Sequence, residues 1–241
     1  MATIARSEAM PNGLLRIPVL LRSGDRMSQA EFHRRYEQYP DNVKFELIKG
    51  TVYMASPEGP PHSRYTTMLA GVLTHYEAET PGVEAASDPT VILNEDSEPQ
   101  PDLLLRVKPG YGGQSWTDDL YLAGPPELVI EIAHSSVAID LHDKKDDYQR
   151  NHIVEYVVVS VAEEEIHWFD LRNKRANKLP TDNILRSKSF PGLWIDTAAL
   201  FRGDLKRLLR VLKKGLASPE HTRFARRLQK AVSGPKTRRR Q

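Results

Sequence analysis

The chain has 241 residues, 39% hydrophobic and 27% charged, enough for an ordinary α/β domain that buries a core without covalent staples. It contains no cysteine, which excludes disulfides, a thiolate nucleophile and Cys-ligated zinc or iron–sulfur centres; any metal is then held by oxygen or imidazole, which favours magnesium or manganese. No stretch approaches the ~18 apolar residues of a membrane span, and Ile17 to Leu21 is too short and proline-broken for a signal sequence, so a cytoplasmic protein is expected.

Residues 1–25 read as an irregular arm. Ser28-Gln29-Ala30-Glu31 is a capping box, in which the serine accepts from the third amide and the glutamate returns to the serine N–H, and it opens a helix through about Gln38. Phe45 to Met54 alternates about a Lys49-Gly50 turn, the pattern of a hairpin with Glu46 and Ile48 on one face. After the proline-rich turn Pro57 to Pro61, Tyr65, Leu69, Val72, Leu73 and Tyr76 recur at helical spacing and predict a core helix that ends before Pro81-Gly82.

Three strand candidates follow: Val83 to Leu93 with a break near Asp88-Pro89, Asp102 to Val107, and Leu128 to Ala133. The last two are nearly continuous apolar runs, as expected of strands covered on both faces, and each carries one acidic residue, Asp102 and Glu131. An unpaired ionised carboxylate is costly in such a place, so both need partners. Pro109 to Gly113 reads as a flexible loop, without the helix that a phosphate-binding glycine loop opens. A helix is expected from Asp140 as its N-cap, with Leu141 and Tyr148 on the apolar side. At about 100° per residue, Lys144 and Lys145 both fall within roughly 60° of that side, so one or both project toward the protein. Two carboxylates on rigid strands with a lysine beside them suit a metal-dependent phosphodiester hydrolase, because the carboxylates anchor a hard cation and the lysine meets phosphate charge.

Ile166 to Asp170 reads as a strand whose Trp168 and Phe169 serve the core or a sheet face. The histidines, His62, His134, His142 and His152 among them, lack zinc-site spacing and read as polar packing or surface; Ser135 and Ser136 lack a nucleophile elbow. Leu205, Leu208, Leu209, Leu212 and Leu216 form an apolar stripe flanked by lysines and arginines, which either closes the core or pairs with a second subunit. A second basic helix is expected around Phe224 to Val232, then a disordered basic tail, Lys236 to Arg240. Residues 202–241 hold 14 Lys/Arg against Asp204 and Glu220, a net of +12 that leaves −10 for residues 1–201. Such a cluster is either an electrostatic footprint for a polyanion or a solvated face. Removal of residues 218–241 is expected to leave the body folded.

The ordered set Phe45 to Gly50, Gln100-Pro101-Asp102-Leu103-Leu104, Pro126 to Ile132, Asp140 to Lys144 and Glu155 to Val159 resembles the Uma-two family, restriction-endonuclease-like proteins of the PD-(D/E)XK nuclease superfamily, over about residues 25–200. The resemblance implies an α/β fold with a mixed sheet flanked by helices at residues 26–201, between the arm and a basic helical extension at 202–241. In that family the lysine two residues after the strand glutamate is absent and one on the next helix replaces it. Glu131-Ile132-Ala133 likewise offers none, and Lys144 rather than Lys145 matches the helix position. The resemblance further implies that Asp102 and Glu131 bind magnesium or manganese, with the Ile132 carbonyl as a third oxygen and Glu46 completing the metal-binding acidic cluster, so that all three acids converge in one cleft. Lys144 would orient the attacking water and stabilise phosphate charge. The implied activity is endonuclease hydrolysis of nucleic acid, DNA in the first instance, leaving a 5′-phosphate and a 3′-hydroxyl; a homodimer with one site per strand is the expectation where the leucine stripe pairs with a second subunit. The chain departs from the family at His134-Ser135-Ser136, where Ser-Pro-Ser is usual. The competing reading is a catalytically inactive nucleic-acid-binding protein that uses its basic extension and shifts DNA equally well in chelator.

Overall fold

The computed structural model describes residues 20–40, 42–55, 59–134 and 136–233. Expectations for arm residues 1–19, for Pro57, for Ser135 and for the tail Lys236 to Arg240 lie outside the described residues. Helix α1 (Gln29–Tyr36) starts where the Ser28 hydroxyl accepts from the Glu31 N–H at 3.4 Å. The Glu31 carboxylate pairs with Arg34 and Arg35, each at 2.6 Å, in place of the expected return bond. Strands β1 (Phe45–Ile48) and β2 (Thr51–Met54) pair antiparallel across Lys49 and Gly50, whose φ values of 50° and 72° give the two-residue turn whose twist matches the strands. Helix α2 (Pro60–Ala78) opens with proline, whose missing N–H costs nothing in a first turn, and buries the predicted apolar stripe from Tyr65 to Tyr76.

The expected long strand divides at Asp88, φ 52°, into β3 (Val83–Ser87) and β4 (Val91–Ile92). Strand β5 (Leu103–Val107) begins one residue later than expected and leaves Asp102 at the preceding bend. Pro109–Tyr111 is a 3-10 turn packed on the core through Tyr111 rather than a flexible loop. Strands β6 (Trp116–Asp118) and β7 (Tyr121–Ala123) join β4 in a small sheet, and β8 (Leu128–Ala133) follows. Next come α3 (Val137–Ile139), a π-helical turn (Asp140–Lys144) and α4 (Lys145–Arg150), then β9 (Glu155–Ser160), β10 (Glu165–Asp170) and β11 (Arg175–Asn177). The hairpin β12 (Ile184–Arg186) and β13 (Trp194–Asp196), with helices α5 (Thr197–Phe201), α6 (Leu205–Leu216) and α7 (Pro219–Ser233), completes the order.

The main sheet runs β11-β10-β9-β8-β5-β3 and is mixed: β8 and β9 are parallel, joined by the helical crossover α3 to α4, and the other pairs are antiparallel. Alternation sends Leu103, Leu105, Ile130, Ile132, Val157 and Val159 to a core shared with α2, α6 and α7. It sends Leu104, Val129, Val158 and Tyr156 to a second core with Tyr148 of α4. Both faces are covered, which is why these strands read as unbroken apolar runs. Among the described residues, no helix is long and apolar enough to cross a membrane.

The leucine stripe closes the core in its middle: Leu208 and Leu212 of α6 are fully buried, Leu209 and Leu216 are half-buried against them and Leu205 is exposed, while Phe224 and Leu228 of α7 join the same cluster. The expectation that residues 218–241 are dispensable to folding is therefore corrected. Phe224 and Leu228 alone account for about 3–6 kcal/mol of burial, comparable with the whole net stability of a domain. Helix α6 sits so close to the turn before β13 that a Cβ on Gly215 would lie 2.2 Å from the Gly192 carbonyl oxygen. Helix propensity favours Gly215→Ala by about 1 kcal/mol, but overlap with a fixed backbone oxygen outweighs that. We expect Gly215→Ala to lower stability by about 1–3 kcal/mol in urea denaturation; a stabilised variant would show that α6 can lift away from this turn.

Candidate active site

The β5–β8 register pairs Leu103 with Ile130, which sets Asp102 across from Glu131. Both lie in phase with Leu104 and Val129, on the α4 side of the sheet. The Ile132 N–H donates to Asp102 Oδ2 at 2.6 Å, and His62 Nε2, in the first turn of α2, lies 3.3 Å from Oδ1. Glu46 arrives on β1. Leu47 exchanges backbone hydrogen bonds of 2.8 and 3.1 Å with Glu98, on the segment that leads to Asp102, and the Gln100 N–H donates to Glu46 Oε1 at 2.8 Å.

Lys144 joins these parts. Its Nζ is 2.8 Å from Glu46 Oε2, 3.0 Å from Glu131 Oε1 and 3.6 Å from Asp140 Oδ1, and its side chain is only 8% exposed. The Tyr148 hydroxyl donates to the same Glu131 oxygen at 2.8 Å. All four residues expected from the sequence, Glu46, Asp102, Glu131 and Lys144, therefore line one cavity of about 350 Å³ with His62 and Asp140. Lys145 turns elsewhere, its ammonium 5.2 Å from the centroid of the Phe169 ring.

Three residues were missed or misread. Asp140 is not an N-cap: helical backbone begins at Val137, and Asp140 lies within it at φ −67°, its side chain 2% exposed. The Ser136 hydroxyl donates to Asp140 Oδ2 at 2.5 Å, and the Tyr156 hydroxyl to its carbonyl at 3.1 Å. The spacing Asp140 to Lys144, one helical turn, was the available signal. His62 read as packing, and nothing in its spacing marks it. Tyr148 read as apolar, but its hydroxyl serves the acid cluster.

Three carboxylates face one buried ammonium here, with Asp102 close by in the same cavity. Burial raises Glu131 well above the carboxylate range, and repulsion from Asp102, Asp140 and Glu46 adds to the shift while Lys144 opposes it. Asp140 rises for the same reasons. Burial disfavours the charge on Lys144, but Glu131, Glu46 and Asp140 outweigh it and hold the lysine well above its ordinary range, so Lys144 is the fixed cation of the group. Glu155, equally buried and also raised by burial, differs in its partners: the Ser187 hydroxyl at 2.6 Å and the Lys188 and Ser189 amides at 2.8 and 3.3 Å, away from the cavity, oppose that rise.

The donor set fits a hard divalent cation, since oxygens of Asp102, Glu131 and Glu46 share one cavity and the excess of acid over lysine is negative. Among the described residues no three acidic or imidazole groups are already gathered around one point, because Glu46 and Glu131 are drawn onto Lys144.

Residues 30–198 match the Uma2 family, described as "Putative restriction endonuclease". The chain belongs to the Uma2 family. A solved structure described as "a putative nuclease belonging to DUF820" from Anabaena variabilis ATCC 29413 superposes with a TM-score of 0.59 at 14% identity, over 70% of this chain and 97% of that one. At that identity the likeness is one of fold, and the mixed sheet with its flanking helices is restriction-endonuclease-like. No curated protein sequence matches the chain.

Removing the cation at the centre of this cluster should expose its worth. Lys144→Met leaves three acids in low dielectric without their cation, a loss of about 3–5 kcal/mol at neutral pH. Glu131 and Asp140 already have raised folded-state pKa values, so protonation below neutrality favours the folded variant and the deficit should shrink as pH falls toward 5. Urea titrations at both pH values measure this, and an unchanged midpoint would mean the cluster does not depend on its lysine.

Proposed function

We propose that this cavity hydrolyses phosphodiester bonds in DNA as a magnesium- or manganese-dependent endonuclease. The observation that carries the reading is that Asp102, Glu131, Glu46 and Lys144, from four separate elements, line one cavity. Asp102 and Glu131 hold the divalent cation, and Glu46 completes the acidic wall. When bound, the cation lowers the pKa of a water and neutralises a nonbridging phosphate oxygen.

The chain's own groups do the rest. The Ile132 amide keeps Asp102 oriented and the Tyr148 hydroxyl holds one oxygen of Glu131, so each carboxylate keeps a fixed bond while Glu131 loosens from Lys144. Lys144 exchanges part of its contact with Glu131 for the phosphate, orients the attacking water and stabilises the charge that grows as water adds to phosphorus. The bond to the 3′ oxygen breaks, that oxygen takes from solvent a proton equal to the one the attacking water releases, and the products carry a 5′-phosphate and a 3′-hydroxyl. Cutting both strands of a duplex would call for a second copy of the chain, one site per strand.

A supercoiled plasmid should be cleaved only with added magnesium or manganese. Lys144→Ala should lower the single-turnover rate by about 100-fold or more while DNA affinity changes little, because its charge matters most in the transition state. Lys145→Ala, beside Phe169, should stay within a few-fold of wild type. Both are assayed at a temperature where circular dichroism shows them folded. Full activity in Lys144→Ala would refute the assignment, and DNA shifted equally well in chelator without cleavage would favour the inactive-binder reading.

A further inference from the structure

The basic charge of the C-terminal segment is organised by the fold into a surface. On α6, Leu208, Val211, Leu212 and Gly215 are buried, while Lys206, Arg210, Lys213 and Lys214 are exposed on the opposite side of the helix. On α7, His221, Phe224 and Leu228 face inward and Arg223, Arg226, Arg227 and Lys230 are exposed. The two acids of the segment scarcely offset this. Asp204 caps α6 by accepting from the Arg207 N–H at 2.9 Å, and Glu220 lies beside Arg223 at 3.2 Å. Because α6 and α7 cover the sheet face of Leu103 and Ile130, this surface lies on the other side of the sheet from Asp102 and Glu131.

Positive charge also leads from the cavity toward it. Arg64, exposed and two residues beyond His62 on α2, donates to the Gly203 carbonyl at 3.4 Å, next to exposed Arg202 at the approach to α6. The α6 stripe from Lys206 to Lys214 spans about 12 Å, enough for roughly three phosphates of one strand. A groove of about 310 Å³ bordered by Pro191, Arg223 and Arg227 adds relief to the α7 side.

We propose that the outer faces of α6 and α7 form a second, non-catalytic docking surface for the phosphate backbone of nucleic acid, continued to the cavity rim by Arg64 and Arg202. The proposal rests on the nucleic-acid reading of the cavity for its choice of partner. It holds substrate by charge alone, so it is indifferent to sequence and raises the concentration of substrate at a protein whose acidic cavity, across the sheet, would otherwise repel it.

The test uses the full chain in EDTA, where no cleavage is needed, and follows binding of a 30-bp duplex (an illustrative length, about 100 Å) by fluorescence anisotropy across a salt series. Two variants are compared with wild type: K206Q/R210Q/K213Q/K214Q on α6 and R223Q/R226Q/R227Q/K230Q on α7. All altered side chains are exposed, and circular dichroism confirms folding. Each set should weaken binding about 10-fold or more at 0.15 M salt and flatten the plot of log K against log salt by about 2–3, since each lost phosphate contact removes about 0.9 from the slope. Residues 234–241 are unchanged throughout, so their charge cannot produce the difference. Wild-type affinity and slope in both variants would overturn the proposal. So would loss of binding to anionic phospholipid vesicles with DNA binding intact, which would make the surface a membrane contact. A flattened slope with no metal-dependent cleavage by wild type would sink the catalytic reading and leave this surface standing.

Discussion

A lysine ammonium buried among three carboxylates is the constraint around which this molecule is arranged. Desolvating a charge is expensive, and only close, well-oriented partners offset it. Lys144 finds them on three different parts of the chain: the β1–β2 hairpin supplies Glu46, strand β8 supplies Glu131 and the crossover helix supplies Asp140. Each supplier is then fixed by its own neighbours. The Gln100 amide holds Glu46, Tyr148 holds Glu131, and Ser136 holds Asp140, so the ion cluster ties the hairpin and the crossover helix to the sheet.

The same cluster explains the π-helical turn at Asp140 to Lys144. A widened turn is a common local adjustment at functional sites. Here it occupies the stretch that must bury both Asp140 and Lys144 while α4 still buries Tyr148 and Asp147. It also separates two adjacent lysines into different fates, one inside the acid group and one over the Phe169 ring. Chemistry and folding share these residues, since the groups that would bind a cation and a phosphate are the ones that balance charge in the resting protein.

Sheet geometry divides the molecule electrostatically. Acidic groups gather on the α4 side, where strand alternation aligns Asp102 with Glu131, while the other face is closed by α2, α6 and α7, the last two with basic outer surfaces. A net charge of +2 conceals this polarity. An acidic cavity suits a cation and disfavours a polyanion, and under the proposed docking role the basic surface on the far side of the sheet would supply the missing attraction.

Much of this was legible in the residues. The apolar runs around Asp102 and Glu131, the hairpin carrying Glu46 and the stripe of α2 follow from periodicities of two and 3.6 residues, and the acids stood out because apolar strands rarely hold unpaired charge. The ordered motifs selected Lys144 over Lys145, a choice that helical phase alone left open. What periodicity could not supply was the identity of partners brought in by tertiary contact. His62, on a helix that otherwise serves the core, meets Asp102 only because the start of α2 reaches the sheet end. Asp140 looked like a cap because Asp starts many helices, and only the fold puts its carboxylate beside Lys144. The leucine stripe of α6 had to pack on something, since an amphipathic helix cannot leave that face in water. That it packs on this sheet rather than on a second subunit was decided by the close approach of Gly215 to Gly192 and by the core that Phe224 and Leu228 complete. The sequence by itself determined the elements, their buried faces and the kinds of group at the site, because these depend on local spacing and on the cost of burying charge; tertiary structure alone decided which groups meet, because contact between distant residues depends on how those faces close on one another.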